Sequence, residues 1–274
     1  MSTSQLSAFP SLAPTGRVGE GLNISIITLD EVTSTNTFLA DYHPSDPAEI
    51  TLVTAEHQTA GRGQTGNSWE SERSKNLLFS ILLTPQSPLP ATHLFLISEA
   101  MALAIRDALE QFIVNCSPLT VKWPNDIYVG DRKIAGILIE NTLCGSHVGR
   151  CIIGCGVNIN QATFHSDAPN PVSLRQLLGH DIERSLVLDA IVTHFHRNLS
   201  TLDTPHSLDV PPLHSAYLTA LYRRTGLHPF REPSSPTPFL AEIADVEPTG
   251  HLVLRDTDHH LRRYAFKEIS FVIS

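Results

Sequence analysis

The feature that most limits how this chain can fold is a series of short apolar segments, interrupted by two long helical patterns. The clearest helical pattern covers residues 92–113, where Leu96, Ala100 and Leu103 recur at intervals of three and four residues. A second amphipathic pattern covers residues 185–202. The other apolar segments have the length of strands, so we predict an α+β chain. The expected strands cover residues 23–29, 52–55, 76–83, 119–123, 127–129, 133–140 and 148–157.

The composition changes after Gly226, where Pro233, Pro236 and Pro238 interrupt the chain. Short alternating segments follow, and Pro248-Thr249-Gly250 predicts a hairpin turn between two of them. Repeated short strands in a segment of this size indicate a small SH3-like β-barrel. The expected strands of this barrel cover residues 240–246, 251–254 and 264–272.

We therefore divide the chain into a flexible tail at residues 1–21, a large domain at residues 22–225 and a small barrel at residues 226–274. The tail is rich in Ser, Pro, Gly and Thr. We expect it to be too short for a helix-turn-helix DNA-binding domain, which needs a core of its own.

Charge and apolar content exclude several classes of protein. The net charge of −9 argues against a protein that coats nucleic acid, because neutralising phosphates requires an excess of Lys and Arg. No apolar run has the length of a membrane span, and the first residues do not form a secretory signal. We expect a cytoplasmic protein, monomeric or homodimeric, whose cysteines are buried free thiols. These cysteines are Cys116, Cys144, Cys151 and Cys155.

A glycine-rich loop, Gly61-Arg62-Gly63-Gln64-Thr65-Gly66, follows the second expected strand. Glycines let backbone amides approach a ligand closely, and the Arg62 guanidinium can hold a carboxylate or phosphate with two hydrogen bonds. The loop matches neither a Walker motif nor a Rossmann fingerprint. By itself it indicates an anion site, and it also fits a flexible surface loop.

A second motif joins Lys122-Trp123-Pro124-Asn125-Asp126-Ile127 to the strand Lys133–Glu140. Lys133 begins a strand that is otherwise apolar, so in a pocket it would need an anionic partner. Trp123 and Pro124 would form a flat apolar surface, and Asp126 would place a carboxylate near a metal–phosphate group. A hairpin with a polar turn is the alternative.

The third motif is Gly154-Cys155-Gly156-Val157-Asn158-Ile159-Asn160. Two glycines within a strand mark close approach by a ligand or another chain, and the alternative is a β-bulge. Asn158 could hydrogen-bond a purine, a ribose or a phosphate. The chain has no Gly-x-Ser-x-Gly elbow and no His-x-x-x-His spacing, so we expect neither a serine hydrolase nor a histidine metal site.

Taken in order, these blocks resemble the biotin–protein ligase family (BirA-type biotin–[acetyl-CoA-carboxylase] ligase). Ser34-Thr35-Asn36 is similar to its upstream block, and the three motifs above resemble the blocks that follow. The likeness covers residues 23–274 and is to a short form without the N-terminal DNA-binding domain. It implies a class II aminoacyl-tRNA synthetase-like catalytic domain, with helices on a mixed sheet, followed by the SH3-like barrel.

The resemblance also implies a two-step reaction. Biotin attacks the α-phosphate of ATP to form biotinyl-5′-AMP and pyrophosphate, with Mg²⁺ bridging the phosphates. A lysine of a biotin carboxyl carrier protein domain then attacks the adenylate and releases AMP. The nucleophile of the transfer belongs to the partner, which agrees with the lack of a catalytic triad in this chain. We expect neither nucleic acid nor a membrane as a partner.

The family pattern assigns roles to residues of this chain. It implies Arg62 and Lys133 as catalytic residues, and Asp126 as a Mg²⁺ ligand acting through a phosphate. The implied biotin-binding residues are Ser34, Thr35, Asn36, Gln58, Arg62, Gly63, Gln64 and Lys133. The implied nucleotide-binding residues are Gly61, Gly66, Trp69, Asn125, Asp126 and Asn158.

The loop departs from the family pattern at two positions. Many members carry arginine where this chain has Gln64, and a basic residue where it has Asn67. We therefore expect Arg62 and Lys133 to carry more of the anion stabilisation here. Lys267 could contact the nucleotide or the acceptor, or be a plain surface charge. A lipoate–protein ligase-like acyl-adenylate transferase, a biotin-responsive regulator and a non-catalytic biotin-binding homologue are the alternatives.

Overall fold

The computed structural model describes residues 24–43, 50–64, 66–83, 89–113, 117–166, 170–201 and 212–273. The predicted flexible tail at residues 1–21 lies outside these residues. So do Cys116 and Leu202, the end of the second predicted helix.

A seven-stranded mixed sheet forms the centre of the described structure. Its strands are β1 (Ile24–Val32), β2 (Ile50–Gln58), β3 (Leu77–Leu83), β4 (Leu119–Lys122), β5 (Asp126–Val129), β6 (Arg132–Cys144) and β7 (His147–Val157). Their order across the sheet is β1-β2-β3-β7-β6-β5-β4. The β1–β2 pair is parallel and the other neighbouring pairs are antiparallel, which confirms the mixed sheet. Several strands extend beyond the predicted bounds, since pairing with neighbours includes polar residues that the apolar pattern omitted.

Helices pack against both faces of the sheet. They are α1 (Thr35–Asp41), α2 (Leu94–Glu110), α3 (Leu174–Leu178), α4 (Arg184–Ser200) and α5 (Pro212–Ala220). The two predicted long helices are α2 and α4, and they pack against each other. The alanines of α2 let α4 and the sheet approach closely, because Ala100, Ala104 and Ala108 are fully buried. The sequence interpretation missed α3 and α5, which are too short to show a clear period.

The C-terminal residues form a second, five-stranded antiparallel sheet, consistent with the predicted SH3-like unit. Its strands are β8 (His228–Arg231), β9 (Phe239–Val246), β10 (Leu252–Asp256), β11 (Leu261–Tyr264) and β12 (Ser270–Phe271), in the order β11-β10-β9-β8-β12. The single strand predicted at residues 264–272 is wrong. A turn separates β11 from β12, because the Glu268 carboxylate accepts the Ala265 N–H at 2.8 Å and Lys267 has a φ of 73°. The domain boundary at residues 225 and 226 stays a prediction.

The predicted hairpin turn joins β9 to β10 and contacts the larger unit. Gly250 has a φ of 85°, and its N–H donates to the Glu247 carbonyl at 2.7 Å. A Cβ on Gly250 would lie 2.7 Å from the Phe95 ring, so glycine is required both by the backbone angle and by the close approach. The Gly250 carbonyl accepts the indole N–H of Trp123 at 3.0 Å. This contact brings the C-terminal sheet next to the Lys122–Ile127 motif.

The helices and cysteines of the described residues bear on two expectations from composition. None of the helices there has the length and apolar character that a membrane span requires. Cys151 and Cys155 are buried, and burial raises the pKa of the Cys151 thiol to about 12. The expectation of burial is wrong for Cys144, which is exposed because it ends β6 in the outer part of the β6–β7 hairpin.

Candidate active site

A cavity of about 210 Å³ opens where the start of α1, the glycine-rich loop and strands β4 to β7 meet the C-terminal sheet. It brings together most of the residues that the sequence pointed to. Those that line it are Ser34, Thr35, Asn36, Gln58, Arg62, Gly63, Gln64, Trp69, Asn125, Asp126 and Lys133. Three nucleotide-site candidates do not line it: Gly61, Gly66 and Asn158.

Glycines on β6 and β7 form the floor of the cavity. A Cβ on Gly154 would lie 2.1 Å from Asn36 Oδ1, and one on Gly156 would lie 2.3 Å from the Trp69 ring. Both substitutions would force these side chains to move. The β7 glycines therefore make room for side chains of the same chain, rather than for a ligand or another chain as the sequence suggested.

Neutral hydrogen bonds organise one end of the cavity, which we call the neutral end (Ser34, Thr35, Asn36, Gln58 and Ser80). Gln58 Oε1 accepts from the Thr35 N–H at 2.7 Å and from the Thr35 hydroxyl at 3.1 Å. Ser80 Oγ lies 2.6 Å from both Thr35 Oγ1 and Asn36 Oδ1. Ser34 takes the N-cap position of α1, but its side chain makes no capping hydrogen bond. These polar groups are thus held in place largely by each other.

Ser80 lies behind the residues that line the cavity, and the sequence pattern did not indicate it. It is fully buried on β3, within a run of apolar residues. A single polar side chain in such a run was the available signal, because a buried hydroxyl needs a hydrogen-bond partner. Its partners come from α1, more than forty positions earlier in the chain.

The glycine-rich loop folds into a small hairpin of its own. The Gly63 N–H donates to the Asn67 carbonyl at 2.8 Å, and the Trp69 N–H donates to the Gly61 carbonyl at 3.0 Å. A Cβ on Gly61 would lie 2.7 Å from the Trp69 carbonyl oxygen, so Gly61 serves the hairpin rather than the cavity. The expectation that the loop amides face a ligand is therefore wrong for Gly63, whose N–H is bonded within the loop. Gln64 Nε2 donates to Asn125 Oδ1 at 3.3 Å and joins the loop to the second motif.

Charged side chains occupy the other end of the cavity, which we call the cationic end (Lys122, Asp126 and Lys133). Lys122 on β4 and Asp126 on β5 are direct cross-strand partners. Lys133 on β6 lies opposite Tyr128 on β5. Strand alternation therefore places them on the same face of the sheet. Lys133 Nζ lies 2.8 Å from Asp126 Oδ1 and 5.7 Å from the centre of the Trp69 ring.

Lys122 carries its charge between aromatic rings. Its Nζ lies 5.5 Å from the centre of the Tyr128 ring and 5.1 Å from that of Phe271 on β12. Burial lowers the pKa of Lys122, and the nearby Lys133 and Arg223 lower it further, whereas Asp126 opposes the shift. Two lysines thus share one carboxylate here, and Arg223 lies near Lys122, so this end of the cavity favours an anionic ligand. Lys122 belongs to the second sequence motif, but the family pattern assigned it no role.

Asn158 supports the structure next to the site. It is 3% exposed, and its Nδ2 donates to the Val172 carbonyl at 3.1 Å. Its backbone carbonyl accepts the Leu174 N–H at 3.1 Å. The structure therefore gives Asn158 contacts that attach the segment before α3 to the end of β7, and it leaves the predicted nucleotide contact as a prediction.

A second, more open cavity of about 430 Å³ continues from the first. It lies between α2, β6 and the β9–β10 turn. The two cavities share Gln64, Trp123, Pro124, Asn125, Leu138 and Phe266. A ligand in the first cavity can therefore extend towards the C-terminal sheet.

Known proteins are similar in sequence to more than half of this chain. Residues 29–158 match the model of the Biotin/lipoate A/B protein ligase family. A biotin–[acetyl-CoA-carboxylase] ligase of Paracoccus denitrificans is 33% identical over 176 residues, covering 62% of this chain and 70% of that protein. The bifunctional ligase/repressor BirA of Bacillus spizizenii is 32% identical over 179 residues, covering 63% of this chain and 53% of BirA. The chain therefore spans about half the length of that relative.

A solved structure shows the same fold. The biotin protein ligase of Aquifex aeolicus in complex with biotin and ATP aligns with a TM-score of 0.70 and 24% sequence identity. The alignment covers 91% of this chain and 99% of that one. The aligned part of this chain therefore has the same fold as that protein.

Proposed function

The chain belongs to the biotin–protein ligase family, and we propose that it activates biotin with ATP and transfers it to a lysine of a carrier domain. The observation that carries the proposal is the contrast between the two ends of one cavity. Neutral donors and acceptors at the neutral end suit the uncharged ureido ring of biotin. Cations at the cationic end suit a carboxylate and a triphosphate, which repel each other unless positive charge lies between them.

In the first step a biotin carboxylate oxygen attacks the α-phosphorus of ATP, and the bond from that phosphorus to the bridging oxygen of pyrophosphate breaks. Lys133 and Arg62 line the cavity where these charges would meet. Their ammonium and guanidinium groups stabilise the negative charge that is shared in the transition state. Trp69 and the loop cover this region and limit the access of water to the adenylate.

The residues present fit a role for Mg²⁺ bound through phosphate oxygens. Asp126 is a largely buried carboxylate at the cationic end, and Mg²⁺ in nucleotide sites commonly uses one or two carboxylates together with phosphates. Asp126 would hold the ion, and the bound ion would neutralise part of the negative charge of the phosphates. Among the described residues, the group with metal-ligand spacing is Asp256, Asp258 and His260, which lies in the β10–β11 turn and not at the cavity.

In the second step a carrier-domain lysine attacks the biotinyl carbonyl, and AMP leaves. The partner supplies this nucleophile, so the chain itself has to hold the adenylate and leave one side open. The cavity between α2 and the β9–β10 turn provides an approach from outside. We further propose that the protein acts in the cytoplasm as a monomer or homodimer, without nucleic acid or a membrane as a partner.

The test is incubation of the purified chain with labelled biotin, MgATP and a biotin carboxyl carrier domain. We expect label on one carrier lysine and none on a carrier in which that lysine is replaced by arginine. Labelling by lipoate instead of biotin would select the acyl-adenylate alternative. Tight binding of biotin without any transfer would identify a non-catalytic homologue.

A further inference from the structure

Glu140 lies on β6, outside the residues that line the cavity, and contacts two side chains that do line it. Its Oε2 atom accepts from Asn36 Nδ2 at 2.7 Å and from Arg62 Nη2 at 3.0 Å. One carboxylate oxygen therefore joins the start of α1 to the glycine-rich loop.

The Asn36 amide is fixed in a single orientation. Its Oδ1 accepts from Ser80 Oγ at 2.6 Å, and its Nδ2 also lies 3.3 Å from the Leu138 carbonyl oxygen. The side chain is 3% exposed and sits directly over Gly154. Because Asn36 cannot turn, the position of Glu140 against it is defined as well.

Arg62 is held by this carboxylate at one edge of its guanidinium group. The Arg62 and Glu140 side chains are 46% and 40% exposed, so their ion pair contributes little to the stability of the fold. A guanidinium has five N–H donors, and the pair with Glu140 uses Nη2. The remaining donors are available to a ligand anion while Glu140 keeps the group at the cavity.

We infer that Glu140 is a positioning residue, which holds Arg62 for the biotin carboxylate and couples that position to the neutral end. The coupling runs through Asn36 and Ser80 to Thr35 and Gln58, by the hydrogen bonds described above. The inference rests on the proposed function. In this inference Glu140 acts through Arg62 and Asn36 and does not contact biotin itself.

The test follows ATP–pyrophosphate exchange by the full chain, with biotin and MgATP varied in turn. We expect Glu140→Ala to raise the KM for biotin about tenfold and to leave the KM for ATP within about twofold. Glu140→Gln keeps an acceptor for Asn36 but loses the charge, so we expect a smaller rise. Glu242→Ala is the matched control, since Glu242 forms a similar half-exposed ion pair with Arg255 at 2.8 Å on the C-terminal sheet.

A second arm repeats Glu140→Ala in an Arg62→Ala background. We expect less than about a twofold further rise in the KM for biotin there, because the group to be positioned is gone. The same tenfold rise in both backgrounds, or no rise in the wild-type background, would overturn the inference. Urea unfolding checks that each variant is folded, and Glu140→Gln decides the question if Glu140→Ala does not fold. The unmodified chain is measured before any variant. If it shows no biotin-dependent exchange, the proposed function itself fails.

Discussion

The neutral and cationic ends of the cavity hold their polar groups in opposite ways. At the neutral end, Ser80, Thr35 and Asn36 are buried, and their hydrogen bonds are made within the protein. At the cationic end, Lys122 and Lys133 both lie near the carboxylate of Asp126. The first end is ordered by geometry before a ligand arrives, whereas the second carries positive charge that an anion would neutralise. Binding at the two ends should therefore respond to different changes.

The largest effect is expected at the cationic end from Lys133→Ala. Removing this ammonium group should lower the kcat of biotin-dependent ATP–pyrophosphate exchange by about 100-fold or more, because charge stabilisation in a dry site acts mainly on the transition state. Arg132→Ala is the matched control, since Arg132 is the adjacent cation on β6 and is exposed. Exchange close to that of the unmodified chain would show that the cationic end takes no part in the chemistry.

The next effect separates ATP binding from biotin binding. Lys122→Met should raise the KM for ATP about 20-fold, the size expected for a lost hydrogen bond to a charged group. The affinity for biotin, measured by calorimetry without ATP, should stay unchanged. Equal losses for both ligands would contradict the separation of the two ends.

The pH dependence of ATP binding should report on the same lysine. Burial lowers the pKa of Lys122 below the ordinary value of 10.5, and only its protonated form attracts phosphate. Affinity for ATP should therefore fall as the pH rises through this lowered pKa, before an exposed lysine would titrate. Lys122→Arg, which keeps its charge throughout this range, should abolish the fall. Persistence of the fall in this variant would assign the titration to another group.

Ser80→Ala should affect the neutral end alone. It removes the hydroxyl that links Thr35 Oγ1 to Asn36 Oδ1 and leaves one of these buried oxygens without a hydrogen-bond donor, so we expect the Kd for biotin to rise about tenfold. The KM for ATP should not change. Thr54→Val is the control. It also removes a hydroxyl, which donates to the Leu78 carbonyl at 3.3 Å, but Thr54 does not line the cavity. A comparable loss in that variant would point to a general effect on the sheet.

The smallest effect is expected from Gln64→Arg, which introduces the arginine that the family resemblance implies at this loop position. An added half-exposed cation should lower the KM for ATP about threefold, in line with the modest energy of exposed charges. Stopped-flow or steady-state exchange at low salt would detect such a change. An unchanged KM would mean that Arg62 and Lys133 already supply the charge that an arginine at this position would add.

Much of the fold followed from local patterns. The long helices α2 and α4 were predicted because apolar residues recur with the helical period, and the β9–β10 turn was predicted from Pro248 and Gly250. The strand predicted at residues 264–272 failed, because the break at Lys267 depends on a hydrogen bond from Ala265 to Glu268 and not on periodicity. The short helix α3 was missed, although the Ser173 and Gln176 capping box that begins it was visible in the sequence.

The sequence by itself determined which chemical groups the chain has for a site: a glycine-rich loop, a cation at the start of a strand and a block of small polar residues. Their types and order are local properties that no packing can alter. The tertiary structure decided what each group contacts. It gave Asn158 contacts outside the cavity and gave Ser80 and Glu140 places in the hydrogen-bond network. Those partnerships depend on which strands are neighbours and on their register, and Asn36 meets Glu140 only because β7 lies between β3 and β6.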